Sequence, residues 1–461
     1  MPMFAAPSRA TARSAALTIS VCSWKAVACA QRFSRRLRSS ILFFHSLLDS
    51  MTSMTFPTSM TSTPHAPHAN HAALLGSPDY ETLRQRAHNL RWASVEEGVI
   101  PLTAADPDLP APRAITDAIA NYCARPHFCY GPAAGLIEFR ESVARHFART
   151  KDALIDIERV SACNSAASAI TLVARHLIRA GDEVVAQDPV DFLVTESVRR
   201  AGGNLRLWKH DNGHFTLDGL RAALTPRTRA LCVCHPHNPM GSLWTPAQVR
   251  EIAELCSARG IEIISDEVWS DIVHDGNAFA SFASFGATAA SPWVIYGLSK
   301  GFALAGLRIG AVIAPSSARA ADFRAHAGFD HTIEGASTLS QVAATAALTQ
   351  CDEWHDAFLT HLGAQRTHAA SRLTSLTGVE LARLPEATFV IFPRISATGI
   401  DEVELATRIA QHARVRVVPG SPRWFGEGAR GHIRLSLACT RATLDEALDR
   451  MTAAWSVITA S

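Results

Sequence analysis

Gly297-Leu298-Ser299-Lys300 and, eight positions on, Arg308 bring an amine and a guanidinium into one short stretch of small and apolar neighbours. A lysine amine condenses with an aldehyde to a Schiff base, and an arginine fork suits a phosphate. Together they read as a grip on a phosphorylated aldehyde. Three further groups stand where a bound molecule can meet them. Asp266 follows the apolar run Ile261–Ser265, Asn238 opens the turn Asn238-Pro239-Met240-Gly241, and Arg434 lies inside His432–Leu437. A permanently charged, fork-shaped donor such as Arg434 fits a carboxylate, for which lysine is a poor replacement.

These groups need a scaffold that presents the ends of strands. From Arg159 onward short β-rich runs alternate with helical ones. The spacing predicts strands at Glu183–Ala186, Leu205–Trp208, Ala230–Cys234, Glu262–Ser265, Trp293–Tyr296 and Arg308–Ile313. Helices are predicted near Ala166–Ile178, Leu193–Ala201, Pro246–Ala258 and Ala318–His326. Apolar strands without strict alternation, separated by helices, indicate an α/β fold with a mostly parallel sheet covered on both faces. Ligands on such sheets sit beyond the carboxyl ends of the strands, where Asn238, Asp266 and Lys300 fall. Upstream, Leu136, Phe139, Val143 and Phe147 recur at helical spacing. Downstream, helices at Ser337–Leu348, Glu353–Leu376, Glu402–His412 and Leu444–Trp455 mix with strands at Thr388–Pro393, Val415–Val418 and His432–Leu437, a smaller α+β domain. The expected organisation is an extension over 1–76, an N-terminal arm over 77–112, a large domain over 113–340 and a small domain over 341–461.

Gly297–Gly310 resembles, position for position, the pyridoxal-phosphate attachment segment of class I/II aminotransferases, and the chain from about residue 80 to 458 is similar to that family throughout. The resemblance implies the aspartate-aminotransferase-like fold (fold type I), pyridoxal 5'-phosphate as cofactor, and amino acid and 2-oxo acid substrates. It makes Lys300 the Schiff-base lysine and proton carrier, and Asp266 the partner of the ring nitrogen. Asn238 becomes a donor to the phenolate oxygen, and Arg434 the ligand of the substrate carboxylate. The phosphate falls to Arg308, Ser299 and the amides of Ala166 and Ala167, where Ser161–Ala169 reads as a strand-to-helix turn of small residues. Tyr130, in its Tyr-Gly context, matches a tyrosine that reaches the neighbouring subunit's phosphate, which implies a homodimer; the bland alternative is a core aromatic. Trp269 stands where a tyrosine is common and covers the ring. In Asp188-Pro189-Val190-Asp191-Phe192 the family's ring-stacking aromatic is replaced by Asp191, so either Phe192 takes over or the ring is covered differently. Ala105, in Ala104-Ala105-Asp106-Pro107-Asp108, belongs to the loop that crosses the substrate. That loop, with Arg91-Trp92 upstream, looks most like the cystathionine β-lyase branch.

Composition narrows the alternatives. The formal charge of +2 comes from residues 1–50, which hold seven basic residues against one acid; the remainder is mildly acidic and offers no nucleic-acid face. No apolar run is long enough to span a bilayer. The ten cysteines are scattered, without the dense spacing of a secreted disulfide scaffold, which fits a reducing cytoplasm. Cys232-Val233-Cys234-His235-Pro236-His237 has metal-ligating residue types, but alternation makes it a buried strand and its following loop, so no metal is expected. Residues 1–70, rich in Ser, Ala, Thr and Arg, read as a disordered extension, a transit peptide or a misplaced start. Three activities share this fold by resemblance: amino transfer, which the attachment segment favours; carbon–sulfur β-elimination, which Arg91-Trp92 and the Asp106–Asp108 pattern favour; and a regulator, which would need an upstream DNA-binding helix pair that residues 1–70 do not show.

Overall fold

The computed structural model describes residues 71–89, 91–93, 95–211, 213–285 and 292–460. The expectations for 1–70 lie outside the described residues. Helix His71–Leu75 already belongs to the packed body, because Leu75 is buried and the helix packs against the long helix Asp352–Thr374. A second helix, Tyr80–Arg86, and strand β1 (Ile100–Pro101) follow.

The large sheet is made of β2 (Val160–Cys163), β3 (Glu183–Asp188), β4 (Asn204–Lys209), β5 (Thr228–Cys234), β6 (Glu262–Asp266), β7 (Trp293–Gly297) and β8 (Gly310–Ile313), in the order β2-β8-β7-β6-β5-β3-β4. From β7 to β4 all neighbours are parallel; β8 runs antiparallel to both β7 and β2. Alternation splits each strand between two cores. Leu231 and Val233 of β5 enter one, with Phe139, Phe147 and Tyr296. Ala230, Cys232 and Cys234 enter the other, with Ile170, Trp293 and Phe323. Covering helices on both faces explain why these strands lack polar alternation.

Two sequence expectations shift for local reasons. The strand expected at Arg308–Ile313 begins only at Gly310, because Arg308 is left-handed at φ 51° and cannot extend a ladder. β2, expected only as the strand end of the Ser161–Ala169 turn and without bounds of its own, is fully buried and pairs with β8. Helix Pro246–Ala258 falls where expected, fixed by proline in its first turn and a capping box between Thr245 and Gln248. Helix Leu217–Ala223, capped by Thr216, went unpredicted because its apolar pattern is short.

A third core gathers Ile391, Leu405, Ile409, Leu435, Leu448 and Met451 with Leu102 from the N-terminal segment. β1 joins it by pairing in parallel with β10 (Val415–Arg416). β12 (Ile433–Ser436) lies between β11 (Val418–Pro419) and β9 (Val390–Ile391). Each fully buried Leu or Ile there contributes roughly 1.5–3 kcal/mol of transfer free energy. This packing fixes the height at which β12 carries Arg434 toward the large sheet. Among the described residues, no helix is long and apolar enough to cross a membrane.

Candidate active site

The carboxyl ends of β5, β6 and β7 lead into Asn238, Asp266 and Lys300. Lys300 is partly buried, and its amine donates to the carbonyl of Ala105 and lies 5.6 Å from the centre of the Trp269 ring. Burial pulls the amine below the usual lysine range. The carboxylates of Asp106, Asp191 and Asp266 pull the other way, and Arg434 adds to the lowering. A neutral amine is the form that attacks a carbonyl carbon. Asp266 is buried, and burial, with a lesser push from Asp191, raises its carboxyl to about 7; a backbone hydrogen bond from Val268 N–H at 3.2 Å and the Lys300 charge oppose it. A carboxylate so poorly compensated fits a cationic N–H donor, which is what a protonated pyridine nitrogen offers.

Arg434, Asn238 and Asp191 form a chain across the site. Arg434 Nη1 donates to Asn238 Oδ1 at 3.1 Å, and Asn238 Nδ2 donates to Asp191 Oδ2 at 2.9 Å. Arg434 Nη2 donates to the Thr103 carbonyl at 3.3 Å, while its buried Nε has no partner. Burial lowers the guanidinium to about 10, with Asp191 opposing. A buried fork with an unspent donor is suited to an incoming carboxylate.

On the other side Ser165 caps helix Ala166–Leu177 at φ 93°, ψ 158°, a region reserved almost wholly for glycine. Its hydroxyl accepts from Ser168 N–H at 3.2 Å and from Arg308 Nη2 at 2.7 Å. The helix start leaves the N–H groups of Ala166 and Ala167 without intrahelical partners. Arg308 reaches the same turn, and Ser299 precedes Lys300. Gly310 permits this approach: a Cβ there would stand 2.7 Å from Ala166 N. Free amides, hydroxyls and a guanidinium make a donor set for a phosphate. These groups fit pyridoxal phosphate.

Several expectations change in detail. Phe192, a candidate ring cover, instead packs edge-on to Trp424 at 5.7 Å and is 38% exposed. Asp191 next to it turns inward, capping helix Phe192–Arg200 through Leu193 N–H as well as holding Asn238. Neither the cap nor the reach to Asn238 was among the expectations for Asp191, which entered only as the residue in place of the ring-stacking aromatic. Trp269 is buried and edge-on to Phe389 at 4.8 Å. Tyr130 is 91% exposed, so it is no core aromatic. Cys232 and Cys234 are core thiols raised by burial, the first to about 12, while His235 stacks on Trp244 and His237 bonds the Pro189 carbonyl. Behind Lys300 lies a buried network that sequence spacing does not reveal. Asp271 accepts from Lys151 at 2.6 Å, His146 at 2.8 Å and the Tyr296 hydroxyl at 2.7 Å. It backs Gly301, where a Cβ would meet Asp271 Cβ at 3.0 Å.

The family model for aminotransferase class I and II matches residues 97–451. The chain belongs to that family. Among its relatives, a cystathionine β-lyase of Bacillus subtilis (strain 168) is 28% identical over 391 residues, spanning 81% of this chain and 98% of the relative. An aspartate aminotransferase of Geobacillus stearothermophilus is 28% identical over 380 residues, 80% of this chain and 94% of its own. Among solved structures, an aromatic aminotransferase from Pyrococcus horikoshii OT3 superposes with a TM-score of 0.72 at 28% identity, covering 79% of this chain and 98% of the other. The fold of this aminotransferase-family chain is thus the expected fold type I, with an α/β sheet in which β8 alone runs opposite to the other strands.

Proposed function

We propose that this chain is a pyridoxal-phosphate-dependent aminotransferase that moves an amino group from an amino acid to a 2-oxo acid in two half-reactions. The observation that carries the reading is the joint presence, around one amine, of a buried acid pushed up to about 7 by burial (Asp266) and a buried guanidinium with a donor to spare (Arg434). When bound, pyridoxal phosphate supplies an aldehyde for the amine and a ring that takes up the electrons of a broken Cα bond.

Each residue then has a task set by its geometry. Arg434, steadied by Asn238, receives the α-carboxylate and orients the Cα–H bond. Lys300, kept low in basicity by burial, would take a proton from Cα and deliver it to the carbon that was the cofactor's aldehyde, two bonds away across the amino nitrogen. Ala105 O holds the amine while it waits. Asp266, ionised by pairing with a cation, keeps the ring nitrogen protonated. Asn238 has a second amide hydrogen for the phenolate oxygen. Arg308, Ser299 and the amides of Ala166 and Ala167 hold the phosphate, while Trp269 packs beneath the amine. The exposure of Tyr130 supports a homodimer in which it reaches the partner's phosphate, and family membership supports a soluble enzyme of the cytoplasm. The domain limits proposed are those expected above, except that helix His71–Leu75 is counted with the packed body.

The second reading is a carbon–sulfur β-lyase, favoured by the Bacillus relative and by Arg91, Trp92 and Asp108. A single-turnover experiment separates them. Cofactor-loaded protein is mixed with pooled amino acids and cystathionine, without oxo acid. One equivalent of oxo acid and no ammonia supports amino transfer; continuous pyruvate and ammonia supports the lyase; no absorbance of bound cofactor sinks both.

A further inference from the structure

Arg91 and Trp92 touch none of the groups assigned above, yet both are buried and bonded to the loop that meets Lys300. Arg91 is buried and left-handed at φ 35°. Its Nε and Nη2 fork onto Asp108 at 2.7 and 2.9 Å, and its Nη1 donates to the Ala104 carbonyl at 2.9 Å. Trp92 Nε1 donates to the same Asp108 oxygen at 2.7 Å, and the Tyr80 ring leans on Trp92 at 5.2 Å. Asp108 N–H is tied in turn to the Ala438 carbonyl at 2.9 Å. The carbonyl one residue beyond Ala104 is that of Ala105, which receives Lys300 Nζ.

Contacts therefore run without a gap from the N-terminal arm to the reactive amine. We propose that the Arg91–Asp108 fork is a positioning device for Lys300, holding the Ala104–Ala105 peptide where the Ala105 carbonyl meets the amine. A bidentate guanidinium–carboxylate pair fixes direction as well as distance. A third donor on Ala104 O fixes the height of the loop, which a point charge such as lysine does not do. Removing the fork lets the loop lift, and the ammonium form of Lys300 loses its acceptor. Of the other charged groups facing the amine, Asp191, Asp266 and Arg434 lie off this loop and remain. Asp106 travels on the same loop and moves away with it, which acts in the same direction.

The inference rests on Lys300 being the reactive amine proposed above, and its test reads the amine without turnover. The cofactor-stripped full chain is labelled with trace acetic anhydride from pH 6 to 11, and the Lys300 peptide is quantified by mass spectrometry. Arg91→Lys and Asp108→Asn are expected to lower the Lys300 midpoint by at least half a pH unit. In the loaded enzyme they lower kcat more than they raise KM. Arg319→Lys breaks another forked pair, to Glu262 at the opposite end of β6, and leaves the Lys300 profile unchanged. Trp92→Phe removes only one donor to Asp108 and gives a smaller shift of the same sign, which serves if the charge variants do not fold. An unaltered Lys300 profile in folded Arg91→Lys and Trp92→Phe, or an equal shift in Arg319→Lys, overturns the proposal. Failure of the wild type to take up pyridoxal phosphate would sink the proposed function while leaving the labelling result to judge the fork by itself.

Discussion

Replacing Asp266 by asparagine should move stability and activity in opposite directions. In the cofactor-free protein the carboxyl is pushed up to about 7 by burial, from an ordinary value of 3.8. The sign follows from linkage. Below pH 4 both folded and unfolded states are protonated, and Asp266 adds no pH-dependent cost. Between pH 4 and 7 the unfolded chain ionises and the folded one does not, so stability falls as pH rises; above pH 7 the loss is complete. A displacement of roughly three units at about 1.36 kcal/mol each gives a ceiling of about 4 kcal/mol. An asparagine amide left short of partners in the same place retains about 1–2 kcal/mol of that cost. Asp266→Asn should therefore stabilise the cofactor-free protein by about 2 kcal/mol at pH 8 and by nearly nothing at pH 4.5. Glu267, also raised to about 7 by burial, contributes the same trend to both proteins and cancels in the difference. Urea unfolding of both proteins across pH 4.5–8 measures it. Added pyridoxal phosphate should reverse the order, because only the wild type gains a cation for its buried charge. A variant no more stable than wild type at pH 8, or a difference that does not change with pH, refutes the argument.

Other expectations follow from the same geometry. Lys300→Ala should lose all turnover while its circular dichroism and cofactor-free melting match wild type; a fully active variant would remove the central assignment. Arg434→Lys keeps the charge but loses the fork, and should raise KM for both amino acid and oxo acid about 10–100-fold, the equivalent of a charge-assisted hydrogen bond. Steady-state kinetics with each substrate varied would show it, and an unchanged KM would place the carboxylate elsewhere. Ser165→Gly relieves the backbone at φ 93° and should melt no lower than wild type, although Arg308 loses a partner. Ser165→Ala keeps the strain and loses the cap, and should fall by about 1 kcal/mol; denaturant melts of the pair decide it.

The sequence alone determined the order of most elements and pointed to most of the candidate site's residues. Strand and helix periods depend on side-chain alternation within a few residues, so the strand expected at Glu262–Ser265, one residue short of the observed Glu262–Asp266, and helix Pro246–Ala258 were readable directly. Lys300, Arg308 and Ser299 were readable because their chemistry is packed into one continuous stretch. What pairs across long separations was not. Asp191 reads locally as a polar loop residue, and only folding brings it to Asn238, 47 residues away, and to the field of Arg434. Phe192 has the right type and neighbourhood for a ring cover, yet helix Phe192–Arg200 turns its side chain to Trp424. Arg91 and Asp108 read as a branch-like motif without a task until the fork and the Ala105 carbonyl are seen together. The difference is physical: periodicity and capping are local free-energy preferences. Burial, electrostatic coupling and the last ångström of a hydrogen bond belong to the tertiary packing that brings distant segments into one site.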